Sequence, residues 1–85
     1  MDEPLTSVTL TWEERQLAVL CSTYPGWEIT YQPDKDEKLP WQARRRTRPT
    51  PLQHKFGIRI LVYRSTGEAL GAVLDRMVYI AHTVR

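Results

Sequence analysis

A lone cysteine, Cys21, permits no internal disulfide, so the chain must hold its fold by packing alone, and a reducing, cytoplasmic compartment is the natural expectation. Long apolar runs are missing. Stretches such as Met77–Ala81 fall far below the roughly 20 residues a spanning helix needs. The first residues, Met1-Asp2-Glu3-Pro4, are acidic where a secretory leader would be basic, and no apolar core follows them, so no leader is expected. Soft metal ligands are few: Cys21, His54 and His82 stand at no ligand spacing, which argues against a metal site. Carboxylate pairs such as Asp34 and Asp36 fall in a polar turn, where no low-dielectric pocket would separate their pKa values for acid–base work. The expectation is therefore a protein without catalytic residues, cofactor or small-molecule substrate. Its 85 residues suffice for one small domain and leave little room for a deep internal cavity.

The absence with most to say concerns charge. Residues 44–64 contain seven basic side chains and no acidic one, whereas residues 1–43 contain three basic and eight acidic. Residues 65–85 balance at two of each. The formal charge of +2 thus hides a polarised chain, with Arg44, Arg45, Arg46, Arg48, Lys55, Arg59 and Arg64 in one quarter of its length.

Periodicity divides the remainder into elements. Thr11-Trp12-Glu13-Glu14 has the form of a capping box, and Leu17, Leu20, Cys21 and Tyr24 follow at one-face helical spacing, which makes Cys21 a small core residue. Trp12, in the first turn, either staples against the Leu10 region or stands exposed as a contact. Pro25-Gly26 ends this helix. Trp27, Ile29 and Tyr31 alternate with polar residues as a first strand; a polar turn over 32–38 leads to a second, from Trp41 to about Arg46. Pro49 and Pro51 predict an irregular basic loop from Arg48 to Gly57. A third strand is expected from Ile58 to Arg64, with Ile58, Ile60 and Val62 on one face and Arg59, Leu61 and Tyr63 on the other. Ser65-Thr66-Gly67-Glu68 repeats the capping-box form, and Leu70, Val73, Leu74, Met77, Ile80 and Ala81 stripe a final helix.

The order α-β-β-β-α predicts an α+β domain over residues 11–85, with a three-stranded antiparallel meander and both helices on one sheet face. Residues 1–10 form an extension whose alternating Ser7-Val8-Thr9-Leu10 is able to add a strand. The expected core holds Trp27, Trp41, Ile58, Ile60, Leu70, Leu74 and Met77. The open face would carry Glu28, Thr30, Gln32, Gln42, Arg44, Arg46, Arg59, Leu61 and Tyr63.

Tyr24-Pro25-Gly26-Trp27-Glu28-Ile29 and Trp41-Gln42-Ala43-Arg44-Arg45 together resemble a pattern in small, mostly uncharacterised actinobacterial proteins: helix, PGW-x-I, hairpin, W-x-A-x-R, strand, helix. The resemblance spans roughly residues 12–82 and implies a fold without implying an activity. Those proteins have a tighter hairpin and a less basic segment after it. The element order also resembles the double-stranded RNA-binding domain, in topology only. That domain brings lysines to the start of its second helix to hold phosphates, whereas Thr66-Gly67-Glu68-Ala69 contains no cation.

The basic run supports two classes of partner. Arg44, Arg45, Arg46, Arg48, Lys55 and Arg59 suit phosphate neutralisation, with Tyr63 available to stack on a base, which makes a nucleic-acid-associated regulatory or accessory factor the leading expectation. The same cations suit an acidic protein, which makes the chain an interaction adaptor, homodimeric in one form, through the open face or the third strand's unpaired edge. A solvated basic face without a partner is the third alternative.

Overall fold

The structure, a computed structural model, describes residues 11–84. Thr11 caps helix α1 (Trp12–Thr23) through a reciprocal box: its Oγ1 accepts from the Glu14 amide at 3.1 Å, and Glu14 Oε1 accepts from the Thr11 amide at 2.8 Å. The helix buries Leu20 and delivers Tyr24, its C-terminal cap, to the core, with Leu17 packed beside them. Cys21 is exposed rather than a core residue. At 100° per residue it turns past the stripe that Leu20 defines, toward the sheet margin, where its Sγ lies 3.8 Å from the Ile29 carbonyl oxygen. Trp12 is 72% exposed; the Leu10 region it was expected to meet, and the proposed strand over 7–10, lie outside the described residues.

Strands β1 (Trp27–Tyr31), β2 (Trp41–Arg45) and β3 (Leu61–Arg64) form an antiparallel sheet in that order, with β2 central. The second strand stops at Arg45, one residue short of the expected end. Gln32 donates its amide to the Pro40 carbonyl at 2.8 Å, and the Asp36 carboxylate accepts the Lys38 and Leu39 amides at 3.0 and 2.9 Å, which closes the connection. The register sets Ile29 against Ala43 and Ala43 against Val62, so one face is apolar from edge to edge. On that face Tyr31 and Trp41 stand opposite one another, ring centroids 4.7 Å apart.

The stretch expected to be a loop contains helix α2 (Pro51–Lys55). Thr50 and Gln53 make a second capping box and Pro51 occupies the first turn, where its missing N–H costs nothing. Gln53 also donates its side-chain amide to the Val84 carbonyl at 2.9 Å, which pins α2 to the end of the last helix. The exit is a Schellman motif. Gly57 donates to the His54 carbonyl and Ile58 to the Gln53 carbonyl, both at 3.1 Å, and Gly57 takes φ 116°, a conformation open to glycine and strained for other residues. The motif aims Ile58 into the core while it is still outside the strand. Ile60, expected beside it, is 45% exposed at a bend. A two-residue alternation counted from Ile58 ran through a segment that is not a strand, so its phase held for Ile58 and Val62 and failed between them.

Helix α3 (Gly67–Thr83) is capped by Thr66, not Ser65: Thr66 Oγ1 accepts from the Ala69 amide at 3.0 Å. The N3 residue is then Ala69, so the reciprocal half of the expected box has no donor-acceptor partner. Gly67 lies where α1 crosses, since a Cβ there would stand 2.5 Å from the Gln16 side chain. Leu70, Leu74 and Met77 are buried and Val73, Ile80 and Ala81 flank them, as the helical stripe requires. Both long helices cover the apolar sheet face, completing an α+β architecture of α-β-β-β-α order, interrupted by the short α2.

Tyr24 ties the two long helices. Its hydroxyl donates to Asp75 Oδ1 at 2.5 Å and lies 3.2 Å from the Gly71 carbonyl oxygen. Burial, then the hydrogen bond and charge of Asp75, push the phenol up to about 12 from 10.0. Because the folded value exceeds the unfolded one, this contribution to stability is complete below pH 10 and is lost as pH rises through about 12. Alkaline titration of tyrosinate absorbance should show a late-ionising step that is absent in Tyr24→Phe. A titration curve whose late part is unchanged by Tyr24→Phe in an intact fold would refute the coupling.

Candidate interaction surface

The basic segment does not lie on one face. Arg44 stands on the uncovered side of the sheet, in a cross-strand row between Glu28 and Leu61. Tyr63 ends the next row, after Thr30 and Gln42, and is exposed. Arg45, one residue along, must point to the helix side, where Trp27 is its register partner. One of its guanidinium nitrogens, Nη1, is buried there without a hydrogen-bond partner. Arg46 falls beyond the strand and donates from Nε to the Pro25 carbonyl at 3.0 Å, clamping the turn after α1. Arg59 precedes β3 and folds back, its Nη1 3.0 Å from the His54 carbonyl oxygen and 3.3 Å from that of Ile58. Of the arginines expected on the open face, Arg44 alone is placed there by strand register; Arg46 and Arg59 lie outside the strands. Arg48 and Lys55 are exposed before and at the end of α2.

What the fold does assemble is a pair of grooves flanking β3. One, of about 700 Å³, runs along β3 against α3 and is walled by Phe56, Arg59, Tyr63, Arg64, Arg76 and Tyr79, with Val73, Met77 and Ile80 at its base. The other, about 560 Å³, lies between the 48–54 stretch and the start of β3, where Arg48, His54 and Arg59 border Pro49, Pro51, Ile60 and Leu61. Arg59 and Leu61 belong to both. Among the described residues, no carboxylate lines either one. Along them Phe56, Ile60, Leu61, Tyr63 and Tyr79 are all exposed, Tyr79 to 70%. So many large apolar side chains in one region mark a contact surface rather than scattered exposure.

Sequence reading singled out Arg48, Arg59 and Tyr63 from this region and missed Phe56, Arg76 and Tyr79, while Lys55 lines neither groove. The signal for two of them was present: Arg76 and Tyr79 stand three apart, on a flank of the final helix that the apolar stripe does not account for. Phe56 was hidden because its segment read as a loop.

The described residues bury no polar or charged residue, and hold no group of three or more His, Cys, Asp or Glu placed for a metal. No helix among them is long and apolar enough to cross a membrane. Comparison of the chain with protein families, with curated proteins and with solved structures finds no match in any of the three.

Proposed function

We propose that this chain is a small non-enzymatic binding protein whose contact surface is the β3 region with its two flanking grooves, and whose partner is an acidic protein segment. The observation that carries the reading is the set of exposed apolar side chains lining both grooves, bordered by Arg48, Arg59, Arg64 and Arg76 with no carboxylate among the described residues of either groove. Apolar side chains supply the contact area, and the surrounding cations select a negative partner and exclude a positive one. A phosphate backbone asks for something else: cations spaced along an open track. On the uncovered sheet face Arg44 faces Glu28 across the strands, and Arg46 lies beyond β2 at the Pro25 turn, outside both grooves. The nucleic-acid reading keeps one specific support, the exposed Phe56, Tyr63 and Tyr79 close to arginines, a composition suited to base stacking.

Fluorescence anisotropy separates the two. The probes are a labelled peptide alternating glutamate with valine and a random-sequence single-stranded oligonucleotide. The expected result is binding of the peptide, weakened about tenfold or more in Arg59→Gln/Arg76→Gln, as loss of charge-assisted hydrogen bonds implies. Oligonucleotide binding with a log–log salt slope of about −0.7 per neutralised phosphate, and none of the peptide, would overturn the proposal in favour of nucleic acid. Absence of binding to both would also overturn it.

A further inference from the structure

We infer that the partner binds by strand addition: an extended segment alternating acidic and apolar residues pairs with the edge of β3 that faces away from β2, its carboxylates turned into the groove beside Arg64 and Arg76. This rests on the acidic-partner reading of the same surface. The Arg45 amide donates to the Ile60 carbonyl at 2.8 Å, and Ala43 stands against Val62, so Ile60, Val62 and Arg64 direct their main-chain groups toward β2. By the alternation of an antiparallel ladder, Leu61 and Tyr63 direct theirs away from it, and β3 is the outermost strand on that side among the described residues. Arg64 Nη1 lies 2.6 Å from the Tyr63 carbonyl oxygen, which leaves the Leu61 and Tyr63 amides and the Leu61 carbonyl for an added strand.

The side chains specify what that strand contains. Leu61 and Tyr63 lie on the open sheet face, so incoming residues on that side meet apolar neighbours. Incoming residues of the other parity enter the groove, which holds Arg59, Arg64 and Arg76 and, among the described residues, no carboxylate. A second copy of the chain fits poorly. Its own β3 segment, Arg59 to Arg64, has a cation at each end and no acidic residue, so a second copy would bring further positive charge to a groove that already holds Arg59, Arg64 and Arg76.

Amide hydrogen exchange, followed by NMR with and without the glutamate–valine peptide and with a lysine–valine peptide as control, tests the mode. In the free protein the Leu61 and Tyr63 amides should exchange fast while Val62 and Arg64 are protected by β2. Saturating glutamate–valine peptide should slow Leu61 and Tyr63 by at least about tenfold, and the lysine peptide should not. If resonances of Phe56, Arg76 and Tyr79 shift on adding the peptide while Leu61 and Tyr63 exchange as before, strand addition is wrong and the acidic-partner surface stands. If no resonance shifts, both fall together.

Discussion

Trp41→Ala removes a large share of the domain's stability. Trp41 opens the central strand and is 3% exposed, packed on Tyr31 from β1 and opposite Arg64 of β3. Truncating a buried tryptophan costs about 3–5 kcal/mol in lost burial and residual cavity. At about 0.05–0.15 kcal/mol per residue, a domain this size has roughly 4–13 kcal/mol in all. A central position aggravates the loss, because the cavity opens between both neighbouring strands and cannot be closed by shifting an edge. Urea unfolding followed by circular dichroism should show the midpoint falling well below the parent's. Trp12→Ala, at an exposed first-turn position, should stay within about 0.5 kcal/mol of the parent. Equal midpoints for the two variants would mean that the sheet is not assembled around Trp41.

Most of the architecture was legible because it rests on local rules that the chain obeys plainly. The Thr11–Glu14 box, the stop at Pro25-Gly26, and the alternation of Trp27, Ile29 and Tyr31 each correspond to an element in place. The departures have specific causes. Thr50-Pro51-Leu52-Gln53 is a helix start, yet two prolines within a basic stretch also describe a loop, and a helix as short as Pro51–Lys55 offers no apolar period to break the tie. Ser65 and Thr66 are adjacent hydroxyls, both able to cap; Thr66 takes the role, and the phase of the box was lost with it.

The surface was less legible than the fold, for a physical reason. Composition reports how many cations a segment holds and strand parity reports which way each points, but a guanidinium on a long side chain can return to its own backbone. Arg46, Arg59 and Arg64 each do so, at Pro25, at His54 and Ile58, and at Tyr63. Arg45 was grouped with Arg44 by adjacency although neighbouring residues in a strand occupy opposite faces, and its buried Nη1 shows the consequence. The grooves themselves join residues from the basic segment to Arg76 and Tyr79 of α3, and no local pattern announces a tertiary junction of that kind.

Ile58 and Ile60 convert these differences into a measurement that separates core from interface. Two residues apart, the same residue type, they were expected on one buried face; Ile58 is fully buried and Ile60 is not. Ile58→Ala should cost about 2–5 kcal/mol, since the Schellman exit of α2 aims it into a core with no slack, and the loss should appear as a lower urea midpoint with the slope unchanged. Ile60→Ala removes a partly solvated side chain and should cost less than about 1 kcal/mol. Binding should rank the pair in reverse. Ile60 borders the cleft with Arg48 and His54, so its truncation should weaken the glutamate–valine peptide severalfold in a protein that unfolds like the parent, whereas Ile58→Ala, where still folded, should bind nearly as the parent does. Should Ile60→Ala destabilise as much as Ile58→Ala, Ile60 is a core residue after all, and the exposed strip beside β3 loses one of its members.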